Sequence, residues 1–151
     1  MKRLGISVIA LTITLVGCAS SNPKYLPQFK SANEQAAGEV VIYRTDSLQA
    51  KLANAYVGVE EGYFSELGEN QYMVFKVDPG FHLFKTRAHG SVASQSHIKV
   101  GAGESLCIEA RPNYEEMEWL VIPFVNALIP SFVLEETPCP SAEVLKALSK
   151  V

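Results

Sequence analysis

The sequence predicts an all-β fold, an antiparallel β-sandwich followed by a short C-terminal helix. Between residues 39 and 112 the chain consists of short segments rich in β-branched and aromatic residues. Turn residues separate these segments at short intervals, as in "DPG", "HG" and "GAG". No long helical period occurs before the final segment. Short strands with frequent turns are typical of antiparallel sandwiches and barrels.

The N-terminus has the three-part pattern of an export signal. Lys2 and Arg3 precede "LGISVIALTITLVG", an uncharged run that ends at Cys18. A bilayer span needs about 20 apolar residues, so this run predicts a removable signal peptide over residues 1–17. Residues 15–18, "LVGC", resemble the lipobox of bacterial lipoproteins. This resemblance implies acyl chains on Cys18 and cleavage of the chain before it. The alternative is an ordinary secreted protein with an unrelated cysteine.

The residues after Cys18 indicate which membrane would hold the protein and how the lipidated cysteine is linked to the folded domain. In Gram-negative lipoproteins an aspartate after the lipidated cysteine favours the inner membrane. Here Ala19 and Ser20 follow, so the resemblance implies the outer membrane, on its periplasmic face. Residues 18–37 have little periodicity and many small or polar residues, which predicts a lipidated cysteine and a flexible tether. We expect one folded domain over residues 38–151.

The predicted mature chain is acidic. The whole sequence has 13 Lys+Arg and 16 Asp+Glu. Removing Lys2 and Arg3 with the signal peptide leaves 13 − 2 = 11 basic residues and a formal charge of −5. Proteins that bind nucleic acids have a basic surface, and segments that bind anionic lipid headgroups are polybasic. An acidic chain is therefore not expected to bind nucleic acids, or to bind a membrane through its charge. The membrane is expected to hold the protein through the N-terminal lipid alone.

Alternation and turn residues place the individual elements. "VDPGF" predicts a hairpin, because Pro79 presets φ, Gly80 can take a positive φ and Asp78 can bond the backbone ahead of it. The final segment, 141–150, predicts a short helix with Ser141 as N-cap and with Val144, Leu145 and Leu148 on one face. The predicted strands are 39–45, 51–60, 62–67, 71–77, 81–88, 94–100 and 104–112.

The order of several motifs resembles a family of bacterial lipoproteins. The motifs are "VIYR" at 41–44, "YVG" at 56–58 leading toward Leu67 and Tyr72, "VDPGFH" at 77–82 and "VGAGESLCIEA" at 100–110. Over residues 38–111 this order is similar to domain-of-unknown-function family 2846. The resemblance implies a β-sandwich, immunoglobulin/transthyretin-like, on an envelope lipoprotein, and it brings no established activity. Cys107 stands where that family has an aromatic residue, and the region after 117 lies outside the pattern.

The two remaining cysteines predict a disulfide. With Cys18 consumed by lipid, Cys107 and Cys139 form an even pair in an oxidising compartment. Their bridge would close a loop of roughly 30 residues and contribute about 3 to 4 kcal/mol on the chain-entropy model. Two free thiols are the alternative, because sequence does not show whether the α-carbons come within about 7 Å.

Residues that could carry chemistry do not form a recognisable site. His82, His89 and His97 lack metal-ligand spacing, and His82 is expected to pack or hydrogen-bond beside the turn. No Gly-x-Ser-x-Gly motif is present, and Cys107 lacks an electropositive setting. We therefore predict no catalytic, metal or cofactor site and no enzymatic activity.

The segment 119–136, "WLVIPFVNALIPSFVLEE", is the unusual feature of the sequence. It has no charge before Glu135, and its prolines disfavour a spanning helix. One interpretation is two strands, or a strand and a loop, completing the core. The other is an exposed apolar patch anchored by Trp119, Phe124 and Phe132, or contact of the same segment with the bilayer.

These observations predict a non-catalytic interaction or structural module of the cell envelope. A protein partner would dock at a sheet edge or on the 119–134 region. A carrier for a small apolar ligand, with a closed pocket under that region, is the alternative, and a hydrolytic enzyme ranks third.

Overall fold

The protein is all-β, with two sheets and one short helix. The computed structural model describes residues 31, 33–116 and 127–151, and the predicted signal peptide, Cys18 and the predicted tether up to residue 30 lie outside them. Short 3₁₀ turns occur at Leu48–Ala50 and Tyr114–Glu116. The elements are β1 Gly38–Arg44, β2 Ala55–Val59, β3 Gly62–Leu67, β4 Gln71–Val77, β5 Gly80–Arg87, β6 Ser94–Val100, β7 Ser105–Pro112, β8 Phe132–Thr137, α1 Ala142–Ala147 and β9 Ser149–Lys150.

The strands divide into two sheets that share one core. Sheet I has the order β8-β7-β1-β4-β9, and sheet II has the order β3-β2-β5-β6. Alternate residues of each strand point between the sheets, as the period of two requires. The resulting core includes Ile42 and Ile108 from sheet I and Val57 and Phe84 from sheet II. Ser96 on β6 donates to the Leu134 carbonyl on β8 at 3.0 Å, which links the sheets at one side.

The prediction of a purely antiparallel sandwich is wrong for sheet I. β1 pairs with β7 in parallel, from Glu39 opposite Ser105 to Tyr43 opposite Glu109. β4 and β9 are also parallel. Alternation of apolar and polar residues marks a strand but carries no information about its neighbour. Parallel neighbours need a long connection, and here all of sheet II lies between β1 and β7 in the sequence.

The predicted hairpin at "VDPGF" is also wrong. β4 pairs with β1 in sheet I, whereas β5 pairs with β2 and β6 in sheet II. Asp78 and Pro79 therefore carry the chain from one sheet to the other. Gly80 has φ +149°, a conformation that residues with a Cβ rarely adopt. The Asp78 carboxylate accepts hydrogen bonds from the Ser31 hydroxyl at 2.5 Å and the Asn33 amide at 3.1 Å, which belong to the N-terminal segment.

The C-terminal helix covers the outer face of sheet I. Ser141 accepts a hydrogen bond from the Val144 amide at 3.4 Å, which confirms it as the N-cap. Leu145 and Leu148 pack on Val41, Tyr43 and Cys107, while Val144 is exposed rather than packed. The helix is shorter than predicted because the chain leaves it to form β9 beside β4.

Candidate interaction site at one end of the sandwich

Strand direction defines two ends of the sandwich. The N-terminal segment enters at Gly38, at the same end as the 78–79 crossing and the 101–104 turn, where the Gly103 amide donates to the Ala36 carbonyl. Loops 45–54, 68–70 and 88–93 lie at the other end, together with the described parts of loop 113–131, which are residues 113–116 and 127–131. Since β1 has 7 residues, the two ends are about 20 Å apart.

Exposed apolar side chains gather at the end opposite the N-terminal segment. Leu48 is 85% exposed and Leu52 is 100% exposed, both in loop 45–54. Tyr114 and Leu128, in loop 113–131, are exposed as well. We call these four residues the apolar end. Contiguous exposed apolar surface of more than a few hundred Å² is typical of interaction sites.

Arg44 shapes loop 45–54 from inside. Its side chain is only 1% exposed, and its guanidinium donates to the carbonyls of Ala50 and Ala53, each at 2.5 Å. It also donates to the Leu67 carbonyl at 3.1 Å and lies 4.8 Å from the ring centroid of Phe132. Burial lowers the pKa of Arg44, and Glu69 partly opposes this shift. Because the inward carbonyls hold the loop, Leu48 and Leu52 are left facing solvent.

This loop explains why the strand predicted at 51–60 begins only at Ala55. The sequence alternates through Leu52, but the Ala50 and Ala53 carbonyls bind Arg44 instead of a neighbouring strand. Leu48, Ala50, Lys51, Leu52 and Ala53 line an open depression of about 510 Å³.

Loop 45–54 contacts the beginning of loop 113–131. The Ser47 hydroxyl and the Tyr114 hydroxyl are 3.4 Å apart. Asn113 donates from its backbone to the Ser131 carbonyl at 3.0 Å and from its side chain to the Pro130 carbonyl at 3.1 Å. These bonds hold Asn113 beside Pro130 and Ser131 and place Tyr114 next to Ser47.

Of the three residues predicted to anchor an apolar patch, the structure describes only Phe132. Trp119 and Phe124 lie outside the described residues. Phe132 is 0% exposed and belongs to the core, so its role as a surface anchor is wrong. It begins β8 and faces sheet II, which fits the core interpretation for this part of the segment. Leu128, four residues earlier, is the exposed one.

The Cys107–Cys139 disulfide is confirmed. The two α-carbons are 5.0 Å apart, and the bridge links β7 to the segment between β8 and α1. Cys107 also packs in the small cluster under the helix. The bridge therefore fastens the C-terminal segment to the outer face of sheet I.

The histidines lie in separate environments. The ring of His82 is hydrogen-bonded through Nε2 to the Asp78 carbonyl at 2.7 Å, as expected beside the turn. His97 is exposed on β6, and His89 lies in loop 88–93. Within 33–116 and 127–151, no three potential metal-ligating side chains come together.

Sequence reasoning missed Arg44, Leu48 and Leu52. An arginine ending a hydrophobic strand ordinarily reaches solvent, and a leucine in an alternating run is ordinarily assigned to the core. The available signal was the "TDSLQ" stretch after Arg44, whose polar residues favour a turn over a strand.

Comparisons with known proteins assign no family. No model of a known protein family matches the chain, and no curated protein matches it. The resemblance to domain-of-unknown-function family 2846 therefore stays a prediction. Among the described helices, none has the length and apolar character to cross a bilayer.

Proposed function

We propose that this protein is a lipid-anchored, non-catalytic interaction module of the cell envelope. Acyl chains on Cys18 hold it at the periplasmic face of the outer membrane, and the apolar end binds a protein partner. The observation that carries the proposal is the exposure of Leu48 and Leu52, which loop 45–54 holds away from the core.

The position of the N-terminal segment supports this arrangement. Ser31 and Asn33 bind Asp78 at the end opposite Leu52. An anchor upstream of Ser31 thus approaches one end, and the apolar end projects from the other. The disulfide supports an oxidising compartment, since such bridges persist outside the cytosol.

Within this proposal the fold is a transthyretin-like sandwich. An immunoglobulin domain keeps its first, second, fifth and fourth strands in one sheet. Here β1 and β4 belong to sheet I, whereas β2 and β5 belong to sheet II. The strand order therefore favours a transthyretin-like fold over an immunoglobulin-like fold, the two alternatives that the sequence prediction named together.

The carrier remains the second candidate function. Its support is the depression lined by Leu48 and Leu52, in the loop whose Ser47 contacts the Tyr114 hydroxyl. The depression is open, whereas ligand sites bury most of a small molecule. This geometry favours a partner surface over a ligand cavity.

Site-specific photo-crosslinking in intact cells tests the module. A photoreactive residue at Leu52 should give a discrete crosslinked protein, whereas one at Phe81, 77% exposed at the other end, should not. The Leu48→Ser/Leu52→Ser variant should lower the affinity for that protein by at least about tenfold, because burying one leucine contributes about 1.5 kcal/mol or more. Equal crosslinking from both positions, or an affinity unchanged in the double variant, would refute the proposal.

A further inference from the structure

The C-terminal segment crosses the outer face of sheet I from one edge to the other. β8, at the first edge, ends at Thr137, which lies opposite Cys107 on β7. The helix α1 then lies over Val41 and Tyr43 of β1, and β9 pairs with β4 at the far edge. We call residues 138–151 the C-terminal cover.

The helical part of the C-terminal cover is held by few contacts. α1 has 6 residues, and none of them is buried. Leu145 in the helix and Leu148 just after it are half-buried against the outer face of sheet I. A helix of this length does not form alone in water. The position of α1 therefore depends on the attachments before and after it.

The attachment after α1 is small. β9 has 2 residues. The Ser149 amide donates to the Asn70 carbonyl at 2.8 Å, and the Val151 amide donates to the Tyr72 carbonyl at 3.0 Å. Two backbone hydrogen bonds at an exposed edge contribute little net stability. The attachment before α1 is covalent, since the disulfide ties the start of the C-terminal cover to β7.

This disulfide can be approached from one side. Cys107 is 1% exposed, whereas Cys139 is exposed. An external thiolate therefore reaches the bridge from the side of Cys139. Access to a sulfur is one of the factors that decide whether a disulfide exchanges with other thiols.

We propose that the Cys107–Cys139 disulfide is a redox switch that holds or releases the C-terminal cover. The co-reactant is a dithiol reductant, a protein with two vicinal cysteine thiols. Its first thiol loses a proton and attacks the Cys139 sulfur, the bond between the two bridge sulfurs breaks, and Cys107 leaves as a thiolate and takes up a proton. Its second thiol loses a proton and attacks the mixed disulfide, so that Cys139 leaves and is protonated in turn. The bridge gains two electrons, and the reductant becomes a disulfide.

Reduction releases the C-terminal cover and leaves both sheets folded. Val41 and Tyr43 belong to a small cluster on the outer face of sheet I, separate from the core between the sheets. Each is 6% exposed while the cover is in place. Release of the cover uncovers this apolar cluster and the edge of β4 at Tyr72, without opening the main core. The switch does not depend on the function proposed for the apolar end.

Hydrogen–deuterium exchange of the full chain, oxidised and reduced with dithiothreitol, tests the switch. After reduction, exchange in a peptide covering residues 142–151 should be about tenfold faster or more, because its amides become free to open locally. Exchange in a peptide covering residues 83–87 of β5 should stay as it was. Unchanged exchange at 142–151 would overturn the proposal, because the bridge would then not hold the cover. Equal acceleration at 83–87 would also overturn it, because the whole domain would then open.

Two controls accompany this measurement. Alkylation followed by mass spectrometry counts the free thiols at Cys107 and Cys139, and a bridge that dithiothreitol leaves intact in the folded protein would refute the access assigned to Cys139. The Cys107→Ser/Cys139→Ser variant should show the fast exchange at 142–151 without any reductant, and dithiothreitol should not change it. A reductant effect in this variant would overturn the proposal, since it could not arise from the bridge.

Discussion

Arg44 shows how one buried charge determines the conformation of a loop. A guanidinium taken out of water is costly unless its donors find acceptors. Arg44 meets most of this cost with the carbonyls of Ala50, Ala53 and Leu67, and with the ring of Phe132, while its Nε is buried without a hydrogen-bond partner among the described residues. Because these carbonyls come from loop 45–54 and from the end of β3, the residue joins the apolar end to the core. The exposure of Leu48 and Leu52 is a consequence of this arrangement.

Replacing Arg44 should therefore destabilise the fold. Arg44→Met removes the donors from three inward carbonyls, and we expect a loss of about 3 kcal/mol in the free energy of unfolding, roughly 1 kcal/mol for each bond. Urea denaturation followed by circular dichroism measures the loss. The control is Arg111→Met, whose ion pair with Glu135 lies at the surface and should contribute less than about 1 kcal/mol. Equal losses in the two variants would contradict the role given to Arg44.

At the scale of elements, the C-terminal segment acts as a cover for sheet I. The Cys107–Cys139 bridge fixes its beginning, Leu145 and Leu148 pack on the sheet, and β9 pairs with β4 at its end. A helix of 6 residues is too short to be stable alone. The covering position of α1 therefore depends on these attachments at either side.

Removing the bridge should loosen this cover. Cys107→Ser/Cys139→Ser frees a loop with a sequence separation of 32, and the chain-entropy model gives a loss of about 3 to 4 kcal/mol. Thermal unfolding of the variant and of the parent protein, with and without reductant, measures this difference. Reductant should lower the melting temperature of the parent alone. A melting temperature that does not change on reduction would contradict the stabilising role.

The sequence was informative where local chemistry decides the outcome. Alternation located the strands from β3 to β7 closely, and Ser141 marked the beginning of the helix because capping involves only neighbouring residues. It failed at Asp78, where turn residues specify a reversal but not the sheet that the next strand joins. It also failed at Arg44 and Leu52, because the carbonyls of Ala50, Ala53 and Leu67 bury the arginine, and no local pattern shows that these carbonyls point inward. The sequence left open whether Phe132 belongs to the core or to a surface patch, since an apolar run does not show which members face the core.

At the scale of the whole molecule, the proposed function needs an anchor that reaches only one end of the sandwich. Gly38 and the Asp78 contacts define that end, and the exposed leucines define the other. The N-terminal segment and the apolar end are thereby separated by the length of the strands, which leaves the apolar end accessible to the proposed partner.

Changing Cys18 to serine tests the anchor directly. Without the thiol no acyl chain can be attached, so Cys18→Ser should move most of the protein from the membrane fraction to the soluble periplasmic fraction. Cys139→Ser is the control, because it removes a cysteine and leaves Cys18 intact. Fractionation followed by immunoblotting compares them. A Cys18→Ser variant that sediments with membranes would argue against lipid attachment.

The central place of β1 has a mechanical consequence. It lies between β4 and β7, and the N-terminal segment joins it directly at Gly38. Tension between an anchored N-terminus and a bound partner would run along the strand axes. Loop 45–54 follows β1 directly, so a pull between Gly38 and a partner bound at Leu48 or Leu52 acts on the two ends of one strand. The covalent backbone of β1 carries such a load, and the hydrogen bonds that lie across the strand axis are not pulled apart by it.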